Sequence, residues 1–97
     1  MSRPPRLSPE LVAAALSDLP LWSGGVDGIE RTLDLPSFRA AVEAVSMIAD
    51  VAEQMDHHPD MDLRWRKVRV AVVTHSAGGV TDLDLELARR VDALLPG

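Results

Sequence analysis

The chain contains three histidines, and each is predicted to lie close to a loop. His57 and His58 are adjacent and are followed by Pro59, whereas His75 follows Thr74. An imidazole with its ordinary pKa of about 6.5 can donate or accept a proton near neutral pH. A dehydration needs both steps, because one group protonates the departing hydroxyl while another removes a proton from the neighbouring atom. We therefore regard the three histidines as candidate catalytic residues.

Each histidine also has an ordinary structural interpretation, as a surface or core side chain with a satisfied hydrogen bond. Adjacent residues on extended backbone point in opposite directions, so His57 and His58 can face one site only if the chain twists at the helix end. Three histidines and a carboxylate could also bind zinc. Because common metal motifs separate their histidines by about two to five residues, the adjacent pair favours acid–base chemistry over a metal site.

Two acidic residues and two tryptophans extend the candidate site. Glu53 lies one helical turn before the histidine pair and could orient an imidazole, although a solvated acid is its ordinary interpretation. Asp84 follows Thr81 at the spacing of a capping box, which favours a capping role without excluding a role in the site. Core packing is the ordinary expectation for Trp22 and Trp65, and a flat heterocycle would also stack on either ring.

Length and composition predict one domain over residues 1–97. The 97 residues include 46% hydrophobic and 26% charged residues, which is the usual mixture of a globular domain. Residues 1–7 are predicted to form an irregular lead, because Pro4 and Pro5 disfavour a helix there. The chain has no cysteine, which excludes disulfides and thiolate metal sites.

The charge balance and hydropathy exclude other classes of protein. A formal net charge of -5 argues against direct nucleic-acid binding, since phosphate recognition needs a basic surface. The basic cluster in 64–69 is interpreted as a solvated strand face or turn; it comprises Arg64, Arg66, Lys67 and Arg69. No apolar run approaches the roughly 20 residues of a membrane span, and the N-terminus lacks the apolar core of a signal peptide. We therefore expect a cytoplasmic protein without membrane contact.

The elements that would position these residues follow from local patterns. A helix is predicted over 8–19 with Ser8 as its cap, then strands around 21–22 and 29–35, a long helix over 37–55, and a last helix capped by Thr81. Residues 63–74 read as two short strands or one kinked strand, with a turn or bulge near Arg66 and Lys67. The long helix is predicted to bury Phe38, Val42, Val45, Ala49, Ala52 and Met55, and the last helix Leu83, Leu87, Val91 and Leu94. Helices segregated over a small antiparallel sheet give an α+β domain.

Taken together, these residues resemble the signature of the pterin-4a-carbinolamine dehydratases. The resemblance rests on five spaced anchors along the chain, which are Glu53, His57-His58-Pro59, Trp65, His75 and Asp84. Thr74, Gly79, Thr81 and Leu87-Ala88 match the family's surrounding sequence, and the likeness covers roughly residues 7–95. A His-His-Pro triplet alone would be a weak signal, but five anchors in order are specific.

The resemblance implies a fold and an activity. The family fold has a four-stranded antiparallel sheet with three helices packed on one face. Its activity is the loss of water from 4a-hydroxytetrahydrobiopterin or a related pterin, which gives the quinonoid dihydropterin and recycles tetrahydrobiopterin. The resemblance also implies that no metal and no organic cofactor is used, and that the chain forms a homodimer or homotetramer. Some members act as transcriptional coactivators, so a non-enzymatic interaction module is the alternative function.

The resemblance also implies roles for individual residues. His57, His58 and His75 would be catalytic, and we expect His57 and His75 to transfer protons while His58 binds the ring. The supporting or substrate-binding residues would be Glu53, Asp84, Trp22, Trp65, Pro59 and Thr74. The segment Leu33-Asp34-Leu35 departs from the family, whose members carry an aromatic-rich strand before the long helix. This departure affects the expected pocket wall and the expected pterin affinity.

Overall fold

The computed structural model describes residues 4–97, which form three α-helices, four strands and one short 3₁₀ helix. In chain order these are α1 Pro9–Ser17, β1 Ser23–Gly25, β2 Gly28–Asp34, α2 Phe38–Met55, β3 Asp60–Arg64, β4 Lys67–Val72, the 3₁₀ helix His75–Ala77 and α3 Asp82–Leu94. Residues 4–7 of the predicted irregular lead belong to no helix or strand, and residues 1–3 lie outside the described residues.

The four strands form one antiparallel sheet in the order β1-β2-β4-β3. Because side chains alternate along a strand, Ile29 and Leu33 of β2 face the same side as their partners Val72 and Val68 of β4. These side chains are buried in a core shared with all three helices, to which Val12, Ile48, Leu87 and Val91 contribute. The opposite face of the sheet is polar. The predicted α+β fold with three helices on one face of a four-stranded sheet is confirmed.

Each helix begins at a residue whose side chain accepts a backbone N–H. Ser8 accepts from Leu11 at 3.2 Å and Ser37 accepts from Ala40 at 3.0 Å. Thr81 begins α3 with a complete capping box. Hydroxyl groups at these positions satisfy N–H groups that have no partner within the helix, which explains why the predicted helix starts are confirmed.

The buried faces of α2 and α3 differ from the prediction. Helix α2 buries Ala41, Ala44, Ile48, Val51 and Ala52, whereas Phe38 and Val42 are exposed. Most of these positions lie one residue before the predicted ones, a rotation of about 100° for a helix of 3.6 residues per turn. Ala52 is buried as predicted, and Val45 and Met55 are partly buried against the core. Two apolar stripes one residue apart occur on this helix, 42/45/49/52 and 41/44/48/51, so spacing alone does not select the buried one. In α3, Leu87 and Val91 are buried as predicted, while Leu94 is exposed and Leu85 and Ala88 are buried instead.

The strand bounds also needed correction. The first strand begins at Ser23, after the predicted Trp22, because the Trp22 N–H is bonded to the Leu19 carbonyl at 2.9 Å in a turn and not to a neighbouring strand. Of the two alternatives for residues 63–74, the two short strands are confirmed, because β3 and β4 form a hairpin that turns at Trp65 and Arg66, one residue earlier than predicted. Trp65 has a φ of 53°, the left-handed backbone that such a two-residue turn requires. Among residues 4–97, no helix is both long and apolar enough to cross a membrane.

Candidate active site

The three histidines meet at one cavity, where the end of α2 lies beside the chain that leaves β4. The cavity has a volume of about 330 Å³. Its walls are Asp56, His57, His58, Val73, Thr74, His75 and Ser76. Two stretches separated along the chain therefore bring their imidazoles to the same space.

The end of α2 determines how the two adjacent histidines are placed. Asp56 ends the helix in the left-handed conformation, with φ 49° and ψ 45°, and its N–H bonds to carbonyls of the last turn. The His57 N–H bonds to the Ala52 carbonyl at 3.0 Å, which holds the chain against the helix end. As a result the His57 side chain is 6% exposed, whereas the His58 side chain is 56% exposed. The two rings differ in burial and yet line the same cavity.

His57 is held by a buried carboxylate. Its Nε2 lies 2.6 Å from Asp84 Oδ1, and Asp84 has no exposed surface. A carboxylate oxygen can only accept, so the bond network assigns the proton of this bond to Nε2. Nδ1 is then the ring nitrogen through which His57 could act on a bound molecule.

Asp84 binds two further groups and so joins the helix cap to the site. Its Oδ2 accepts from the Thr81 N–H at 2.8 Å and from the Thr74 hydroxyl at 2.9 Å. The two threonine hydroxyls lie 2.8 Å apart. The expectation that Asp84 caps α3 is confirmed, and the same carboxylate also orients an imidazole.

Glu53 does not orient His57. Its side chain is 78% exposed, and its Oε2 lies 3.7 Å from Nε2 of His58. This distance is too long for a hydrogen bond, although a protonated His58 would be attracted to the carboxylate. One helical turn separates Glu53 from the histidine pair, but the left-handed turn at Asp56 directs His57 away from the face of α2 that carries Glu53.

A tight turn presents His75 at the surface of the cavity. Thr74 and Gly79 form an isolated antiparallel bridge that closes the 3₁₀ helix between them. Gly79 is required here, because a Cβ atom at this position would lie 2.7 Å from the Val26 carbonyl oxygen. The bridge thus fixes the base of the turn while His75 stays exposed.

A second cavity of about 310 Å³ adjoins the first and shares His58, Val73 and His75 with it. It opens toward the polar face of the sheet, where Glu30 and Arg69 form a two-point ion pair with N–O distances of 2.8 and 3.2 Å. The hydrogen bond from Arg69, together with its charge, holds the pKa of Glu30 below its ordinary range. The same bond raises the pKa of Arg69, which also binds Asp62 at 3.2 Å.

The tryptophans and Pro59 line neither of these cavities. Trp22 is buried, and its Nε1 donates to Asp92 Oδ1 at 2.9 Å. Trp65 is 74% exposed at the hairpin turn, where the Arg66 guanidinium lies 5.4 Å from its ring centroid. Within one chain, these two rings are therefore not brought together with the histidines.

Sequence reasoning missed Asp56 and Thr81 as parts of the site. Asp56 lines the three-histidine cavity, and Thr81 bonds the carboxylate that holds His57. An aspartate directly after a helix and directly before two histidines was the available signal for Asp56, since Asp tolerates the left-handed region. Among residues 4–97, no group of three or more His, Asp or Glu side chains is arranged to hold a metal ion.

Comparisons with known proteins found matches over nearly the whole chain. Residues 5–94 match the family described as pterin 4 alpha carbinolamine dehydratase. A Nocardia farcinica protein provisionally named a pterin-4-alpha-carbinolamine dehydratase is 50% identical over 88 residues, covering 91% of this chain and 93% of its own. A Mycolicibacterium smegmatis protein with the same provisional name is 43% identical, covering 92% and 95%. A solved structure from Brucella melitensis, titled transcriptional coactivator/pterin dehydratase, superposes with a TM-score of 0.87 at 34% identity, covering 93% of this chain and 98% of that one.

Proposed function

Because this chain belongs to the pterin-4a-carbinolamine dehydratase family, we propose that it removes water from a 4a-hydroxytetrahydropterin, such as 4a-hydroxytetrahydrobiopterin. The product is the quinonoid dihydropterin, so the reaction would return an oxidised pterin cofactor to a form that can be reduced again. The observation that carries the proposal is the single cavity bounded by His57, His58 and His75. These are the three side chains of the cavity best suited to proton transfer near neutral pH.

The proposed reaction needs one proton delivered and one removed. The C4a–O bond breaks as the hydroxyl oxygen takes a proton and leaves as water. The N5 proton goes to a base, and the electrons of the N5–H bond form the C4a=N5 double bond. Atoms and charges therefore balance with two histidines alone, and no redox step or cofactor is involved.

The contacts of His57 support a proton-transfer role for it. Asp84 holds Nε2 at 2.6 Å, so the ring orientation is fixed before a substrate binds. A carboxylate in this position also stabilises an imidazolium, as in other catalytic histidine–carboxylate arrangements. We propose that His57 and His75 form the proton-transfer pair and that the more exposed His58 binds the pterin ring. Thr74 would support the arrangement through Asp84, whereas Trp22 and Trp65 have no part in it within one chain.

The test is to follow the decay of a 4a-hydroxytetrahydropterin, generated by a pterin-dependent hydroxylase, with and without the protein. We expect acceleration by the protein, and a loss of about 10²-fold or more in His75→Ala, the scale of one positioned acid or base. Gln54→Ala is a matched control, because Gln54 is exposed at the same end of α2 and lines neither cavity. An unchanged rate in His75→Ala would remove His75 from the mechanism.

A non-enzymatic interaction module is the second candidate, since the similar Brucella melitensis protein is described as a transcriptional coactivator/pterin dehydratase. This alternative predicts no acceleration of dehydration together with a specific protein partner. We also propose that the chain acts in the cytoplasm as a homodimer or homotetramer, which light scattering on the purified protein measures directly.

A further inference from the structure

The edge of β2 that faces β1 is covered along only part of its length. β1 begins at Ser23 and pairs with residues 28–30 of β2. The chain before Ser23 turns away from the sheet, because the Trp22 N–H is bonded to the Leu19 carbonyl at 2.9 Å. Within the described part of the chain, residues 31–34 of β2 are therefore paired on their β4 side alone.

The register of the sheet shows which backbone groups this open edge presents. The Leu35 N–H donates to the Arg66 carbonyl at 2.9 Å, in continuation of the β2–β4 register. Opposed residues in an antiparallel pair alternate between bonded and non-bonded pairs, so the odd-numbered residues of β2 bond toward β4. Thr32 and Asp34 thus direct their N–H and C=O groups to the open side, where no backbone group among residues 4–97 bonds to them. Unpaired groups of this kind can pair with another strand.

A cavity of about 390 Å³ lies along the open edge, and we call it the edge cavity. It shares no wall residue with the two cavities beside the histidines. Residues 31–35 form one wall, and the remaining wall residues are Leu21, Leu94, Leu95, Pro96 and Gly97. Leu21 and Leu94 are 45% and 43% exposed, so an apolar side chain placed between them would remove apolar surface from water.

Arg31 brings a positive charge to the edge cavity from the core face of the sheet. Its side chain is 5% exposed, and its Nη1 donates to Asp92 Oδ1 at 2.6 Å. A guanidinium has five N–H donors, and this is the one hydrogen bond of the Arg31 side chain within residues 4–97. No fully buried side-chain nitrogen among those residues lacks a partner, so the Nε and Nη2 donors reach the open space that the edge cavity provides. Asp34 lies on the opposite, polar face, where its carboxylate is 3.4 Å from Arg66 Nε.

The position of Arg31 selects the kind of partner. A strand added to this edge can follow residues 31–35 but no further, because β1 occupies the edge from Glu30 onward. The added chain must therefore end beside Arg31. Guanidinium donors bind a carboxylate and repel an ammonium group, so the end is a carboxyl terminus and the added strand runs antiparallel to β2.

We propose that this edge binds the carboxyl-terminal segment of another polypeptide as an added strand, with the terminal carboxylate on Arg31. The last residue of the segment lies opposite Arg31, and its apolar side chain enters the edge cavity. The second and fourth residues from the end exchange backbone hydrogen bonds with Thr32 and Asp34. Main-chain bonds supply affinity in this mode of recognition, and the alternate side chains supply specificity.

The test uses the peptide acetyl-Val-Thr-Val-Thr-Leu, whose apolar side chains would lie on the core face and whose threonines would lie on the polar face. Calorimetry with the full chain compares the free acid with the carboxyl-terminal amide. We expect the free acid to bind at least about tenfold more tightly, because the amide loses the charge-assisted hydrogen bonds to Arg31.

A second pair of peptides tests the backbone bonds. N-methylation of both threonine amides, which would face β2, should weaken the free acid about tenfold or more, because two hydrogen bonds are lost. N-methylation of the second valine and the leucine is the matched control. These two amides would face away from β2, so the affinity should stay within about threefold.

A pair of protein variants assigns the preference for the free acid to Arg31. In Arg31→Gln, the acid and the amide should bind within about threefold of each other. Arg69→Gln should keep the full preference, because Arg69 lies on the polar face outside the edge cavity. Urea unfolding shows whether Arg31→Gln stays folded. If it does not, amide hydrogen exchange in the native chain decides, since the free acid should slow exchange at Thr32 and Asp34.

Four results would each overturn the proposal. Equal affinities of the acid and the amide would remove Arg31 from recognition, and equal effects of the two N-methylations would exclude an added strand. Octanoate binding as tightly as the peptide would show a simple carboxylate pocket. If a second copy of this chain covers the edge instead, exchange at Thr32 and Asp34 is slow without peptide and becomes faster on dilution.

Discussion

Replacing Asp84 by asparagine should separate its capping role from its role toward His57. Asp84 accepts three hydrogen bonds while fully buried, from His57 Nε2, the Thr74 hydroxyl and the Thr81 N–H. In Asp84→Asn the amide oxygen can keep the two bonds made by Oδ2, but the amide N–H₂ then faces His57. To keep a hydrogen bond, His57 must accept at Nε2 and carry its proton on Nδ1.

The size of the effect on stability follows from these contacts. The two bonds retained by the amide change from charge-assisted to neutral, at about 1 kcal/mol each, and the favourable charge at the α3 N-terminus is lost. Removal of a buried charge offsets part of this, so we expect about 2 kcal/mol of destabilisation. A domain with an unfolding free energy of about 5–15 kcal/mol stays folded.

The effect on catalysis should be much larger than the effect on stability. The changed tautomer turns the Nδ1 of His57 from an acceptor into a donor and removes the carboxylate that would stabilise an imidazolium. A comparable change elsewhere reduces turnover by about 10⁴-fold, and we expect at least about 10²-fold here.

Three measurements on Asp84→Asn test this reasoning. Urea unfolding gives the stability, the dehydration assay gives kcat, and nitrogen NMR of the histidine rings reports the tautomer. Ser37→Ala is the control, because it removes the cap of α2 at a cost of about 1 kcal/mol without contacting His57. If Asp84→Asn keeps kcat within about threefold of the native chain, Asp84 only caps α3 and our assignment of His57 fails.

Three further predictions concern the rest of the fold. Asp92→Ala should cost about 3 kcal/mol in urea unfolding, because it leaves the buried Arg31 guanidinium unpaired, while kcat for folded protein stays unchanged. The Arg69 hydrogen bond lowers the pKa of Glu30, so the ion pair stabilises the fold fully above the ordinary pKa of 4.5. This stabilisation is lost as the pH falls through the lowered pKa. In Glu30→Gln the unfolding free energy should therefore depend less on pH in this acid range, and an unaltered pH dependence would contradict the ion pair. Trp65→Asn should raise the unfolding free energy by about 0.5 kcal/mol by relieving the left-handed backbone, and a decrease would show that the exposed indole stabilises the hairpin.

The parts of the fold that depend on local chemistry could be predicted from the sequence. The caps at Ser8, Ser37 and Thr81 act on N–H groups two or three residues away, so the residue type alone indicates them. The buried side of β2 was also predictable, because alternation along a strand has a period of two. The buried side of α2 was not, because the stripes 41/44/48/51 and 42/45/49/52 are both apolar, and only the packing of α2 against the sheet selects between them.

The candidate site could likewise be predicted from the sequence only in part. The histidines were identified by residue type and spacing, and the family signature supplied their grouping. The bond between His57 and Asp84 spans 27 positions of the chain and depends on how α3 packs beside the end of α2. Local spacing indicated only a capping role for Asp84, and its role in the site was expected from the family resemblance alone, without a partner. The charged second cavity also required the sheet register, since Glu30 and Arg69 are not neighbours along the chain.

The contrast between the two tryptophans provides the molecule with two separate optical reporters. The chain has no tyrosine, so its long-wavelength ultraviolet emission comes from Trp22 and Trp65 alone. The Trp22 indole is buried and hydrogen-bonded to Asp92 of α3, so a blue-shifted emission maximum reports that this helix is packed on the sheet. The Trp65 indole lies in solvent at the hairpin tip, where a dissolved quencher reaches it freely. The emission maximum of Trp22 therefore reports the packing of α3, and quenching of Trp65 reports the exposure of the hairpin turn, without any added label.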